Sequence, residues 1–161
     1  MRRYVLQALL FSAAVVAGVV YGVPDADGAM QFYGEKIRAS LFTGLLTTGS
    51  FLLSLKIFIV VKFKETVFDT PGYRELFAQL KKIDPRIRRY AQVRNVSNLI
   101  FASIVSALIG AAAQVTLGLL DVFACFLACV AIAAFAGAML FQTLWLVHAI
   151  ISDWLDRTED L

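Results

Sequence analysis

The sequence predicts an all-α integral membrane protein: a four-helix bundle of four transmembrane helices with a cytoplasmic helical insertion between helices two and three. Three observations predict it. Of the 161 residues, 60% are hydrophobic and the mean hydropathy is +0.75, where a soluble domain usually sits near half apolar. The charges are segregated into the N-terminus, two connections and the C-terminus, which leaves long runs with hardly a charge. Each of the four runs reaches the roughly 20 residues that cross a hydrocarbon core about 30 Å thick at about 1.5 Å per residue.

The first span is expected over about 4–23, behind Arg2 and Arg3, with Gln7 and Ser12 as its only polar side chains besides Tyr4 and Tyr21. It is longer than the apolar core of a signal peptide and no good Ala-x-Ala site follows, so it reads as a retained span. Pro24, Asp25, Asp27 and Gly28 then break the chain, since Pro and Gly punctuate and Asp favours turns. The second span is expected over about 39–61. The third is expected over about 98–119 and the fourth over about 122–151, joined by a tight hairpin at Gly118–Asp121. The helical pattern of the fourth runs on toward Trp154, and residues 152–161 form a tail.

Orientation follows from the basic residues, because cytoplasmic loops are the ones rich in Lys and Arg. The 62–97 connection holds nine of them, Lys62, Lys64, Arg74, Lys81, Lys82, Arg86, Arg88, Arg89 and Arg94, against Lys36 and Arg38 in the first loop and none in the hairpin. Both termini and the 62–97 connection are therefore expected in the cytoplasm of a multi-pass cell (inner) membrane protein. Thr70-Pro71 and Asp84-Pro85 each place a helix-capping residue before a proline suited to the first helical position. The first of these starts a helix whose Leu76, Phe77, Leu80 and Ile83 share one face, open to lipid, to the bundle or to a soluble partner. Together with Arg86, Arg88 and Arg89, this face is the expected partner or lipid contact.

The second span carries the most informative pattern. Ser40, Thr43, Thr47, Ser50 and Ser54 recur at steps of three and four, which confines them to about 80° of a helix. Ile57, Phe58 and Val61 continue the stripe. Small hydroxyl residues let helices approach closely and bond to one another. In an oligomer the same stripe can line a wet passage that closes in an apolar collar. Lys56 lies on the opposite face with Leu45, Gly49 and Leu52. An intramembrane charge is a functional candidate, and a lysine this near the end of a span can also snorkel to the headgroups. Small-residue faces recur elsewhere: Ala14, Gly18 and Gly22; Ser103, Ser106, Gly110 and Gln114; Cys125, Cys129, Ala133 and Ala136. So many of them in four helices point to a homo-oligomer.

No catalytic constellation stands out. There is no phosphate-binding glycine loop, nucleophile elbow or zinc-protease motif. His148, the only histidine, lies 19 residues beyond Cys129 on one helix, about 28 Å away, so no metal site and no cofactor is expected. Gln142 and Trp145 share the interfacial zone of His148. The basic cluster hugs the membrane and contains no nucleic-acid-binding module. The leading expectation is a non-enzymatic oligomeric scaffold or sensor subunit that anchors or regulates a soluble cytoplasmic partner, of the kind found in bacterial defence and stress systems. The alternatives are a homo-oligomeric ion channel lined by the hydroxyl stripe and a small transporter or accessory subunit of a larger membrane complex.

Overall fold

The structure, a computed structural model, describes residues 2–63 and 91–159, with residues 79 and 82 between them. Most of the expected insertion, including Leu76, Phe77, Leu80, Ile83, Arg86, Arg88 and Arg89, lies outside the described residues. Every described element is helical: α1 (Arg2–Gly22), α2 (Ala26–Phe32), a π turn (Tyr33–Ile37), α3 (Arg38–Phe63), α4 (Ala91–Thr116), a 3-10 turn (Leu117–Leu119) and α5 (Phe123–Glu159). Four helical stretches are long and apolar enough to cross a membrane, Arg2–Gly22, Ala26–Phe58, Arg94–Leu119 and Phe123–Ala149. In lipid no water satisfies backbone N–H and C=O groups, and helices close those bonds internally.

The first connection is much shorter than the sequence suggests. The break expected over Pro24–Gly28, with a loop carrying Lys36 and Arg38, contracts to residues 23–25, and helix resumes at Ala26. Asp25 is the reason. Its extended backbone (φ −105°, ψ 99°) makes it an N-cap, and its side chain accepts from the Gly28 N–H at 3.1 Å. An N-cap of this kind satisfies a donor that a helix start otherwise leaves orphaned, so Gly28 enters the first turn instead of breaking it. From there α2 passes through the π turn into α3 without interruption. At the other hairpin, Leu120 N–H bonds to Leu117 O at 3.1 Å and Val122 N–H to Leu120 O at 2.8 Å, which reverses the chain between α4 and α5.

The main packing runs α3 on α4, α4 on α5 and α5 on α1. Half (50%) of the α4 span is buried against 11% of the α1 span, so α4 is the central helix and α1 is attached along one side. Facing pairs step in opposite directions along α3 and α4, from Lys56 beside Phe101, through Gly49 beside Ala107, to Arg38 beside Gly118. Without a hydrophobic force between helices in lipid, close van der Waals fit and interhelical bonds hold such a seam. Glycine makes the fit here. A Cβ on Gly110 would stand 3.0 Å from Leu45 Cδ1 and 3.5 Å from Ala136 Cβ, so this position lets α3, α4 and α5 converge. Leu45, Ala107, Ala111 and Ala136 form the small core around it.

Candidate functional site

The polar side chains fall into two groups, one turned outward and one sealed inside. On α3 the chain packs through Leu45, Gly49 and Leu52, all buried. The opposite face is the hydroxyl stripe. Ser40, Thr43, Thr47, Ser50 and Ser54 are every one exposed, as are Ile57, Phe58 and Val61 beyond them. Ser50 Oγ donates to Leu46 O at 2.9 Å and Ser54 Oγ to Ser50 O at 3.5 Å, so these hydroxyls are held by their own helix and bridge to no other described one. The packing role that the sequence allows for this stripe is therefore not exercised among the described helices. Ala14 and Gly18 on α1 behave alike: both are exposed, and an added Cβ on Gly18 or Gly22 would meet nothing within 4 Å.

Lys56 lies where the sequence puts it, on the side of α3 away from the stripe. It is half-buried, with Nζ 4.5 Å from the centre of the Phe101 ring. A cation over a ring face gains attraction from the ring quadrupole, and the sequence alone does not supply this partner.

The sealed polar group is the larger surprise. Tyr33 and Gln114 are buried, and the Tyr33 hydroxyl donates to Gln114 Oε1. Gln114 Nε2 in turn donates to Cys129 O at 3.3 Å, and Cys129 Sγ to Ala113 O at 3.4 Å. Beside them Arg38 Nη1 donates to Gly118 O at 2.6 Å, satisfying a carbonyl at the end of α4 that no further turn of helix would reach. Phe126 closes the group with its ring 5.1 Å from that of Tyr33, at 75°. Three to four turns nearer the charged end of the molecule, Ser103 Oγ and Thr143 Oγ1 lie 2.6 Å apart, and Ser103 also donates to Met139 O at 3.1 Å. Ser12 of α1 donates to Ala131 O at 2.7 Å. Each helix pair in the row is thus tied by at least one polar link.

Tyr33 and Arg38 were not singled out by the sequence, which assigns them to a loop. The available signal is Gln114 itself: a lone amide in a span needs partners, and tyrosine or arginine on a preceding segment are the donors to look for. Gln142 is a different case, since its Oε1 is buried with no hydrogen-bond partner among the described residues.

Between α1 and the run from α2 to α3, with α5 as floor, lies a groove of about 550 Å³. Val15, Val19, Phe32, Ile37, Phe126 and Val130 are among its walls, and hydrocarbon is the only chemistry they offer. Among the described residues no group of three His, Cys, Asp or Glu could hold a metal ion. Among the described residues the arrangement offers contact surfaces and a cation.

What these features define is an all-helical protein with four helices suited to crossing a membrane. In comparisons with known proteins, no family model, no curated protein and no solved structure matched the chain.

Proposed function

We propose that the chain is a non-enzymatic subunit of a homo-oligomer in the inner membrane, with both termini cytoplasmic, in which copies meet along the hydroxyl face of α3. The 62–97 connection would then present a ring of equivalent cytoplasmic surfaces that anchor or regulate a soluble partner. One observation carries the reading: α3 packs within the chain through Leu45, Gly49 and Leu52 and leaves Ser40, Thr43, Thr47, Ser50 and Ser54 facing outward. Small and hydroxyl-bearing faces are the surfaces along which helices associate in lipid. The excess of basic residues in 62–97 supports the orientation.

Disulfide trapping of single-cysteine variants in native membranes tests the assembly. Thr43→Cys, Thr47→Cys and Ser50→Cys are expected to give dimers, while Ile109→Cys on the far side of α4 does not. A monomer by mass in mild detergent, with no trapping at any of the three, would sink the proposal. The partner arm has its own readout. A tagged chain should co-purify one soluble protein in fixed ratio, and Leu76→Glu with Leu80→Glu should release it while the oligomer persists.

A pore is the second reading, and one feature favours it. The exposed stripe passes from five hydroxyls to Ile57, Phe58 and Val61 on the same line, the order needed for a wet passage that closes by dewetting. In that case Ser50→Cys in the oligomer reacts with water-soluble thiol reagents and the purified protein conducts in planar bilayers. A dry, unreactive Ser50→Cys that still forms disulfide dimers leaves the scaffold reading alone.

A further inference from the structure

We propose that the seam between α3 and α4 at the arginine-rich end of the molecule binds the phosphate of an anionic lipid headgroup. Lys56 and Arg94 supply the charge, Asn98 a neutral donor, and the face of Phe101 the floor. The inference rests on the membrane-spanning helices and is independent of the oligomer.

Lys56 sits seven residues before the last residue of α3, Phe63, within the stretch apolar enough to span. Its ammonium lies over a ring that is 54% exposed. The charge is therefore at the lipid-facing mouth of the seam and not locked between helices. An ammonium at this depth needs an anion, since the ring quadrupole offsets only part of its lost hydration. The described part of α3 contains no acid, nor does any position of α4. Neither helix of the seam therefore carries a carboxylate to answer Lys56.

The face of α4 under Lys56 supplies the rest. At about 100° per residue, Arg94, Asn98 and Phe101 fall within about 60° of one another. Asn98 is one turn and Arg94 two turns from Phe101 toward the charged end, about 4.5 and 10.5 Å along the axis. Both are exposed. A lysine stem leans toward the nearer interface, which carries the ammonium from Phe101 toward Asn98 and Arg94. In the other direction the same face continues as Val105, Leu108 and Ala112, apolar and open on its outer side. Charge at one end of a track and hydrocarbon along the remainder match one molecule that has both, a phospholipid. The two cations, on a seam whose two helices carry no acid, select a net-anionic headgroup over a zwitterionic one.

Native mass spectrometry of the full chain, equilibrated with phosphatidylglycerol, phosphatidylcholine or inorganic phosphate, reads the site directly. The parent is expected to retain phosphatidylglycerol in preference to phosphatidylcholine. Lys56→Met should weaken that retention about fivefold, the worth of one basic residue at a charged lipid surface, and Lys56→Arg should preserve it. Arg94→Gln should weaken it similarly, while Arg3→Gln, at the same end but on α1, should not. Should Lys56→Met fail to fold, Arg94→Gln and Asn98→Leu decide. Unchanged preference in these variants overturns the site. Retention of inorganic phosphate in place of the lipid overturns the lipid assignment. Neither result bears on the trapping along α3, so the two ideas fail separately.

Discussion

Tyr33 and Gln114, 81 positions apart, share a buried hydrogen bond that ties the π turn to α4. Gln114 then reaches Cys129 O on α5, so one amide links three helical elements. Replacing it with leucine leaves the phenol without an acceptor in an apolar setting. An orphaned buried polar group costs about 1–3 kcal/mol in water-soluble proteins, and interhelical bonds in lipid average about 0.6 kcal/mol. Gln114→Leu is therefore expected to destabilise the fold by about 1 kcal/mol and Tyr33→Phe by less. Because both act on one bond, the double variant should cost less than the two singles combined. Reversible unfolding in mixed micelles measures all three.

Cys129 and Cys125 make no disulfide, and Cys129 is sealed against Ala113 O. Serine is close in size and donates to the same carbonyl, so Cys129→Ser should retain stability within about 0.5 kcal/mol, the range of substitutions without cavity, clash or orphaned group. Cys129→Leu should not, because the side chain is fully buried and a larger one would overpack its surroundings. In the folded protein a membrane-permeant maleimide is expected to label half-buried Cys125 well before Cys129. Equal rates at the two would contradict the packing.

The π turn explains how Tyr33 and Arg38 serve the same neighbour. Five residues apart, they would sit about 140° from each other on an α-helix. The Arg38 N–H instead bonds back to Tyr33 O, a wide turn equivalent to one inserted residue, and both side chains meet the α4 end of the hairpin. Deleting Gly34 should restore α geometry and rotate Tyr33 about 100° off Gln114. In a Cys125→Ser, Cys129→Ser background, a bifunctional thiol crosslinker should bridge Tyr33→Cys and Gln114→Cys, and the bridge should be lost on the deletion. The native side chains meet only at their tips, which leaves the two positions too far apart for a direct disulfide. The helical content by circular dichroism should stay the same.

The spans were legible because length and missing charge are enough to define them, and membrane helices leave few alternatives. Which face of α3 turns inward was not. A glycine-leucine face and a hydroxyl face are both acceptable packing surfaces in lipid, and only the fit of Leu45 against Gly110 decides between them. The α2 segment was hidden for a different reason: Pro24 and Gly28 carry a breaking signal that the Asp25 cap overrides. The π turn leaves no compositional trace. Gln114 falls on a small-residue face of the sequence, but its partner is hidden because Tyr33 lies between the two expected spans.

Two glycines that look alike in sequence should respond in opposite ways. Gly110 is buried at the convergence of three helices, and leucine there would have to displace Leu45 Cδ1, Ala136 Cβ and Ile132 Cγ2, all within 4 Å of a first added carbon. Overpacking of this kind typically costs about 1–3 kcal/mol or more, so Gly110→Leu is expected to lower the unfolding temperature sharply. Gly18 meets nothing within 4 Å, and Gly18→Leu should leave the monomer as stable as the parent, or slightly more so for the gain in helix propensity. If copies of the chain also approach along Ala14 and Gly18, the same variant will shift the mass of the detergent-solubilised assembly without shifting the unfolding of its subunit. Thermal unfolding and light scattering on one preparation separate these effects, and a Gly18→Leu chain that unfolds as early as Gly110→Leu would mean that α1 packs on a face other than the one through Ala8 and Ser12.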